Sequence, residues 1–295
     1  MELYHKNIRY RLENLSVGFV LFLFAVLCVY PVLYVLFASF SDPMKLAQHT
    51  GLLWKPLEFT LEGYKVAASY QGIWKGYGNT ILIVVSGVTV NMCLTVLAAY
   101  VLSKKELYLH RAMNLFVIFT MYFSGGLIPT YMVVKGLHLV NSMLALILPV
   151  AINTWNLIIL RTSMEEMPKS LTEAAKIDGA GDWTILLKVV IPLIKPTLAV
   201  LVLYYVVQHW NSWFNAMIYL QSREKYPLQL FLREILVSGT SNSAASQGFD
   251  MTELDQYKQL VKYCTTILAT APILCIYPFL QKYFVKGVLI GSVKE

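Results

Sequence analysis

The residues of this chain best equipped for chemistry stand close together in one apolar stretch: Tyr204, Tyr205, Gln208, His209, Asn211, Ser212 and Asn215. On a helical wheel at roughly 100° per residue, Gln208, Asn211 and Asn215 fall within about 40° of Tyr204. Tyr205 and Ser212 flank that face, and His209 lies beyond it. Leu203, Val206, Val207, Trp210, Trp213 and Phe214 take the opposite arc. Polar groups in hydrocarbon need protein partners or water, so the separation predicts a face turned either to a neighbouring helix or to a wet path. The face offers amides, hydroxyls and phenols, and no charge. It suits a neutral polyhydroxyl ligand, because amides hydrogen-bond hydroxyls and aromatic rings cover the apolar faces of such ligands. It suits phosphate or a metal ion poorly.

What is missing excludes other chemistry. The long apolar segments hold no Asp, Glu or Arg, and Lys195 sits at an edge. Ion-coupled carriers commonly place ionisable groups near the middle of the membrane. His209 is the sole candidate, and a lone histidine in a helix reads more simply as a partner for a neighbouring polar group. An intramembrane enzyme usually needs a nucleophile, carboxylate or histidine pair near the membrane surface, and here only His209 lies well inside a span. Cys28, Cys93, Cys264 and Cys275 lie in apolar stretches without Cys-x-x-Cys spacing, and read as buried thiols without metal or disulfide. No metal or other cofactor is expected. No Gly-x-x-x-x-Gly-Lys-[Ser/Thr] loop occurs, so if the chain pumps, a partner hydrolyses the ATP.

The elements that must position these residues are membrane spans. Over 295 residues the chain is 57% hydrophobic and 14% charged, where soluble domains carry nearer a quarter charged residues. Six apolar segments are long enough to cross a bilayer: 15–40, 79–103, 112–134, 143–160, 193–220 and 263–281. Together they predict an all-α membrane protein with a single transmembrane domain over 1–295. The first segment follows Lys6, Arg9 and Arg11, is too long for a signal-peptide core, and lacks a small-residue cleavage site. Lys104, Lys105 and Arg111 crowd the turn after the second segment, against Lys135 alone after the third, so both termini are expected in the cytoplasm. The net charge of +7 is scattered through loops and reads as a topology signal beside anionic lipid, not as a nucleic-acid surface. Glycine and proline interrupt several spans, at Pro31, Ser124-Gly125-Gly126 with Pro129, Pro149, Pro272 and Pro278. Most read as helix kinks. The loop 221–262 contains a Ser/Asn/Ala/Gly-rich run from Ser238 to Gly248, read as mobile and exposed.

The loop 168–192, before the fifth span, is the most informative. Ser170 and Glu173 have capping-box spacing, Leu171–Asp178 predicts a short helix, and Gly179 suits a left-handed cap. Asp182 is placed to cap a second helix running to Pro192. The prediction is helix, glycine elbow, helix on the cytoplasmic side.

Glu173-Ala174-Ala175, three residues, Gly179, nine residues, then Val189-Val190-Ile191-Pro192 resembles the EAA loop of binding-protein-dependent ABC importer permeases. Family members typically read Ile-x-Leu-Pro at the end of that pattern, so Val189 and Ile191 are conservative departures. Ser124–Thr130, Trp210–Phe214, Tyr226–Gln229 and Lys286–Gly291 narrow the resemblance to the carbohydrate branch, MalG-like and LplC-like, from about residue 10 to the end.

The resemblance implies a type I ABC importer permease fold, with 168–192 as a cytoplasmic coupling loop and no enzymatic activity in the chain itself. It implies that Glu173, Ala174, Ala175, Ile177, Asp178 and Gly179 dock on an ATPase subunit, with Ile177 or Leu171 as apolar anchor. Implied partners are a second, MalF-like permease subunit, a dimer of ATP-binding subunits, an extracellular substrate-binding protein, and a sugar or oligosaccharide cargo. Residues 286–295 would reach the ATPase dimer, and part of 221–262 the binding protein. Tyr204, Tyr205, Gln208, Asn211, Ser212 and Asn215 would line the substrate path. A bacterial plasma membrane is the implied location. The rival readings are a self-sufficient secondary carrier or channel, and an importer subunit for a non-sugar cargo.

Overall fold

The computed structural model describes residues 2–238 and 259–275. Its helices are α1 (Glu2–Ser39), α2 (Pro43–Gln48), α3 (Glu62–Ser69), α4 (Gln71–Ser103), α5 (His110–Tyr122), α6 (Leu127–Gly136) and α7 (Thr154–Glu165). There follow α8 (Lys169–Ile177), α9 (Asp182–Ile185), α10 (Ile191–Leu193), α11 (Lys195–Trp210), α12 (Trp213–Tyr219), α13 (Leu228–Ser238) and α14 (Gln259–Cys275). Among the described residues there is no strand, only an isolated bridge between Ser41 and Phe59.

Of the six expected spans, the α1 segment Glu13–Ser39 and helix α4 are unbroken and long and apolar enough to cross a bilayer. Three others are bent pairs: α5 with α6 at 114°, Met143–Val150 with α7 at 49°, and Asp182–Leu193 with α11 at 84°. The segment 112–134 is therefore not one helix. Its break falls in Ser124-Gly125-Gly126, where Gly126 takes a φ of +83°, which a side chain disfavours. Pro129 lies in the first turn of α6, where a missing N–H costs little. The sixth segment begins within α14, and its end at 281 lies outside the described residues.

The chain falls into two compact units, Met1–Tyr70 with Glu234–Thr270, and Gln71–Arg233 with Ala271–Glu295. In the first, Ala38, Leu46 and Leu53 form a small core with Tyr34, Phe37, Leu57 and Tyr263. Asp42 caps α2 by accepting from the amides of Met44 and Lys45, with Pro43 at the first helical position. Cys264 is buried and donates to the Ser39 carbonyl at 3.3 Å. The reading of all the cysteines as buried fails: Cys28, Cys93 and Cys275 are exposed. Leu15 to Phe24 of α1 is likewise exposed.

The second unit is organised by α4. Its buried residues Thr80, Ile83, Gly87, Asn91, Thr95, Ala99 and Leu102 recur every three or four positions, forming one stripe of mostly small or polar side chains. Small residues let backbones approach closely, and buried polar ones bond across helices. At the C-terminal end of this stripe Ala99 and Leu102 join Leu157, Leu160, Met164, Ile185, Leu186, Val190, Ile194 and Leu201 in an apolar core.

Candidate functional site

The elbow before α11 is built locally. Pro168 is the N-cap of α8 and makes no side-chain cap bond; the helix starts at Lys169, so Ser170 lies inside it. The expected capping box is therefore not formed. The C-terminus follows the reading closely: Gly179 has φ +79°, its amide donates to the Lys176 carbonyl at 3.0 Å, and Ala180 donates to Ala175 at 2.9 Å. This pair of bonds is the Schellman arrangement, which satisfies carbonyls a helix end leaves unpaired. Ala175 and Ala180 rest against the apolar core. Glu173, Ala174, Asp178 and Gly179 face outward, Leu171 is 42% exposed and Ile177 87% exposed.

Asp182 does not cap α9; Gly181 occupies that place. The Asp182 carboxylate instead accepts from Lys104 Nζ at 2.6 Å and from the Tyr100 hydroxyl at 3.4 Å. The Lys104 hydrogen bond, and then its charge, hold the Asp182 carboxyl below the usual carboxylate range. Lys176 adds an ion pair with Glu106 at 3.7 Å. The elbow is thus tethered to the turn after α4 by exposed charges. Beyond α9 the chain runs through a π-helical turn, Leu186–Val190, in which Ile191 donates to Leu186. The wider turn makes room for Pro192, whose ring would clash with the carbonyl four residues back and which has no N–H to give.

A second site lies where α11 packs on α4. The hydroxyls of Thr95 and Tyr205 are 2.7 Å apart, and Tyr205 accepts from the Asn153 amide at 3.3 Å. Asn91 Nδ2 donates to His209 Nε2 at 3.2 Å and to the Val150 carbonyl at 3.3 Å. Tyr205, Asn91 and Thr95 are fully buried and His209 is 1% exposed. The buried atoms Asn91 Oδ1, His209 Nδ1 and Ser212 Oγ have no hydrogen-bond partner among the described residues. Each such atom costs about 1–3 kcal/mol if it finds none.

The wheel drawn over 193–220 assumes one continuous helix, and α11 ends at Trp210. Asn211 is its C-cap, and a new helix starts at Trp213. Asn215 therefore does not share a face of α11 with Tyr204. Tyr204 and Asn211 are exposed, Gln208, Ser212 and Asn215 half-buried, and Tyr205 is turned into the α4 seam. His209 bonds a neighbour, as the sequence suggests for a lone histidine. Among the described residues no cluster of metal-ligating side chains occurs.

Residues 11–290 match the binding-protein-dependent transport system inner membrane component family. The chain belongs to that family. It is 41% identical over 286 residues to the polygalacturonan/rhamnogalacturonan transport system permease protein YtcP of Bacillus subtilis (strain 168), covering 96% of this chain and 98% of YtcP. Protein LplC of the same organism is 41% identical over 266 residues, covering 90% and 89%. A chain of a bacterial ABC transporter involved in the import of the acidic polysaccharide alginate superposes with a TM-score of 0.87 at 31% identity, over 93% of this chain and 97% of that one. The protein is thus an inner-membrane permease component of an ABC importer that works with a substrate-binding protein, and is a transporter subunit, not an enzyme.

In this permease the elbow residues come together as the sequence predicts, on one short helix and its cap. The polar residues after Leu203 divide between the seam, the exposed surface and the break. Gly87, Asn91 and Thr95 were missed, although their four-residue spacing, continued by Ala99, is a legible small-and-polar stripe. Asn141 was missed too. At φ +61° it receives the amides of Gln221 and Ser222 on its side-chain oxygen and Lys225 Nζ on its carbonyl, fastening the start of the 221–262 loop. Nothing local in the sequence marks it. The tail 286–295 and the Ser238–Gly248 run lie outside the described residues, apart from the backbone of Ser238.

Proposed function

We propose that this chain forms half of the translocation path of an ATP-driven importer of sugars or oligosaccharides in a bacterial plasma membrane, with both termini cytoplasmic and residues 1–295 acting as one permease domain. It pairs with a second, MalF-like permease subunit above a dimer of ATPase subunits, and receives cargo from an extracellular binding protein. The observation that carries the docking role is the elbow. Leu171, Ala174 and Ile177 stand exposed on a nine-residue helix whose far end is locked by Gly179. Apolar side chains left uncovered among charged ones on a capped surface helix support the reading of an interaction site. Glu173 and Asp178 add carboxylates for basic groups of the ATPase. Closure of the ATPase dimer then moves α8, and the core that holds Ala175 passes the movement to α4, α7 and α11.

The names of the relatives favour a saccharide cargo, and the uncharged set Tyr204, Gln208, Asn211, Ser212 and Asn215 is chemically suited to hydroxyl groups. The relatives with polygalacturonan and alginate in their names favour uronate-bearing chains as a narrower reading. The experiment is to co-purify the complex and measure ATP hydrolysis as binding protein is added with galacturonate, alginate or neutral arabinose oligosaccharides. Stimulation by a saccharide supports the importer reading, and the preferred class decides the charge of the cargo. Solute accumulation by this chain alone in vesicles, without ATPase subunits, would overturn it in favour of a self-sufficient carrier. Stimulation by peptides or polyols but by no saccharide would move the cargo outside the sugars.

A further inference from the structure

We infer that His209 is a positioning residue of the permease: its imidazole clasps α11 to α4 and thereby fixes Asn211 and Ser212 at the helix break. The inference rests on the reading that these two residues face the path. Three observations carry it. The ring meets Asn91 Nδ2 at Nε2, 3.2 Å away, and Asn91 is itself anchored to the Val150 carbonyl. The ring also occupies a hollow that only glycine leaves, since a Cβ on Gly87 would stand 2.5 Å from Nε2 and 2.7 Å from Cε1. The main chain of the same residue helps hold the break: the His209 carbonyl receives the amide of Ser212 at 3.3 Å, while that of Asn211 reaches Val207 at 3.1 Å.

One residue therefore grips α4 with its side chain and the turn with its backbone. Trp210, next to it, is buried edge-on to Tyr77 of α4 and supports the same end of the helix. The side-chain clasp is a single hydrogen bond, so one substitution on either partner opens it. His209 is 1% exposed and acts on the path through the residues it places.

The test uses a cysteine at position 212 (Ser212→Cys) as reporter in the full complex in lipid vesicles, with maleimide labelling compared against the parent lacking that substitution. Asn91→Leu and His209→Leu should each raise the labelling rate at 212 roughly tenfold, and the double variant should add little further, because both remove one bond. His209→Gln, whose side-chain oxygen can accept from Asn91, should label at the rate of the Ser212→Cys protein with no other change. Gly87→Ala should raise labelling by displacing the ring. Unchanged labelling in Asn91→Leu, which keeps the branched shape and heavy-atom count but removes the amide, would overturn the clasp, as would additive effects. Labelling needs no cargo, so it tests the clasp separately from the transport reading. If labelling rises while saccharide uptake holds at the parent rate in Asn91→Leu, the clasp stands and the assignment of Ser212 to the path falls.

Discussion

The elbow of α8 and the seam between α4 and α11 solve the same problem, holding a helix end in place, by opposite means. At the elbow the fastening lies at the surface: two backbone bonds around Gly179, a partly exposed ion pair to Lys104, and apolar side chains left uncovered. At the seam it is distant and buried, made by side chains more than one hundred residues apart in the chain, with spare polar atoms inside. The difference teaches which part is built to meet a partner and which to keep its own geometry. A surface elbow can be moved as a unit, because few long-range bonds oppose it. A buried seam resists, because every polar group it loses must be satisfied elsewhere.

The comparison is tested most severely by Gly179→Pro. Proline is fixed near φ −65°, far from the +79° observed, and removes the amide given to Lys176. Saccharide uptake should fall to background while membrane insertion and the thermal stability of the seam stay as in the parent. Normal uptake would end the docking role of the elbow. Gln208→Leu with Asn211→Leu follows: uptake should drop by about tenfold, the scale of one or two lost polar contacts, with the complex still assembling. An unchanged rate would make these side chains surface and nothing more.

A smaller effect is expected within the seam. Thr95→Val removes the hydroxyl partner of Tyr205, which already accepts from the Asn153 amide and so has its own proton to give. Leaving that buried proton unpaired should cost about 1–3 kcal/mol, read as a lower unfolding midpoint of the purified protein in detergent. Thr95→Ser should lose much less. Equal losses for the two variants would mean that packing of the methyl group, not the hydrogen bond, holds the pair.

The same contrast explains what could be read in advance. The elbow was legible because its determinants lie within a few residues: a helix of suitable length, then glycine where a positive φ is needed. Its details slipped where two local signals competed. Pro168 took the cap from Ser170, and Lys104, outside the loop, took the carboxylate of Asp182 from its own helix. Among the spans, hydropathy found the apolar segments but not their bends, since the 114° turn at Ser124–Gly126 and the end of α11 at Trp210 keep the composition of a span. A wheel drawn through Asn211 was bound to misplace Asn215. The seam required knowing that α4 and α11 meet, and no single-segment pattern carries that. Asn141 is harder still, because a left-handed asparagine fastening residues eighty positions away leaves no periodic trace.

The smallest effect concerns the tether that lets the elbow differ from the seam. The folded-state pKa of Asp182 is depressed, chiefly by the Lys104 hydrogen bond, so the pair adds stability while the carboxyl is ionised in both folded and unfolded chains. That contribution is complete above the ordinary carboxylate value and disappears as pH falls through the lower folded value. The difference in unfolding midpoint between the parent and Asp182→Asn should therefore be constant from pH 7 to 5 and shrink only below about pH 4. Because Asp182 is exposed and Lys104 partly so, the difference should be under about 1 kcal/mol and should diminish in high salt. A gap that already closes near pH 6, or that ignores salt, would mean that Asp182 is held by something other than Lys104. The elbow would then be fixed as firmly as the seam, and the contrast between a movable outer joint and a resistant inner one would have lost its physical basis.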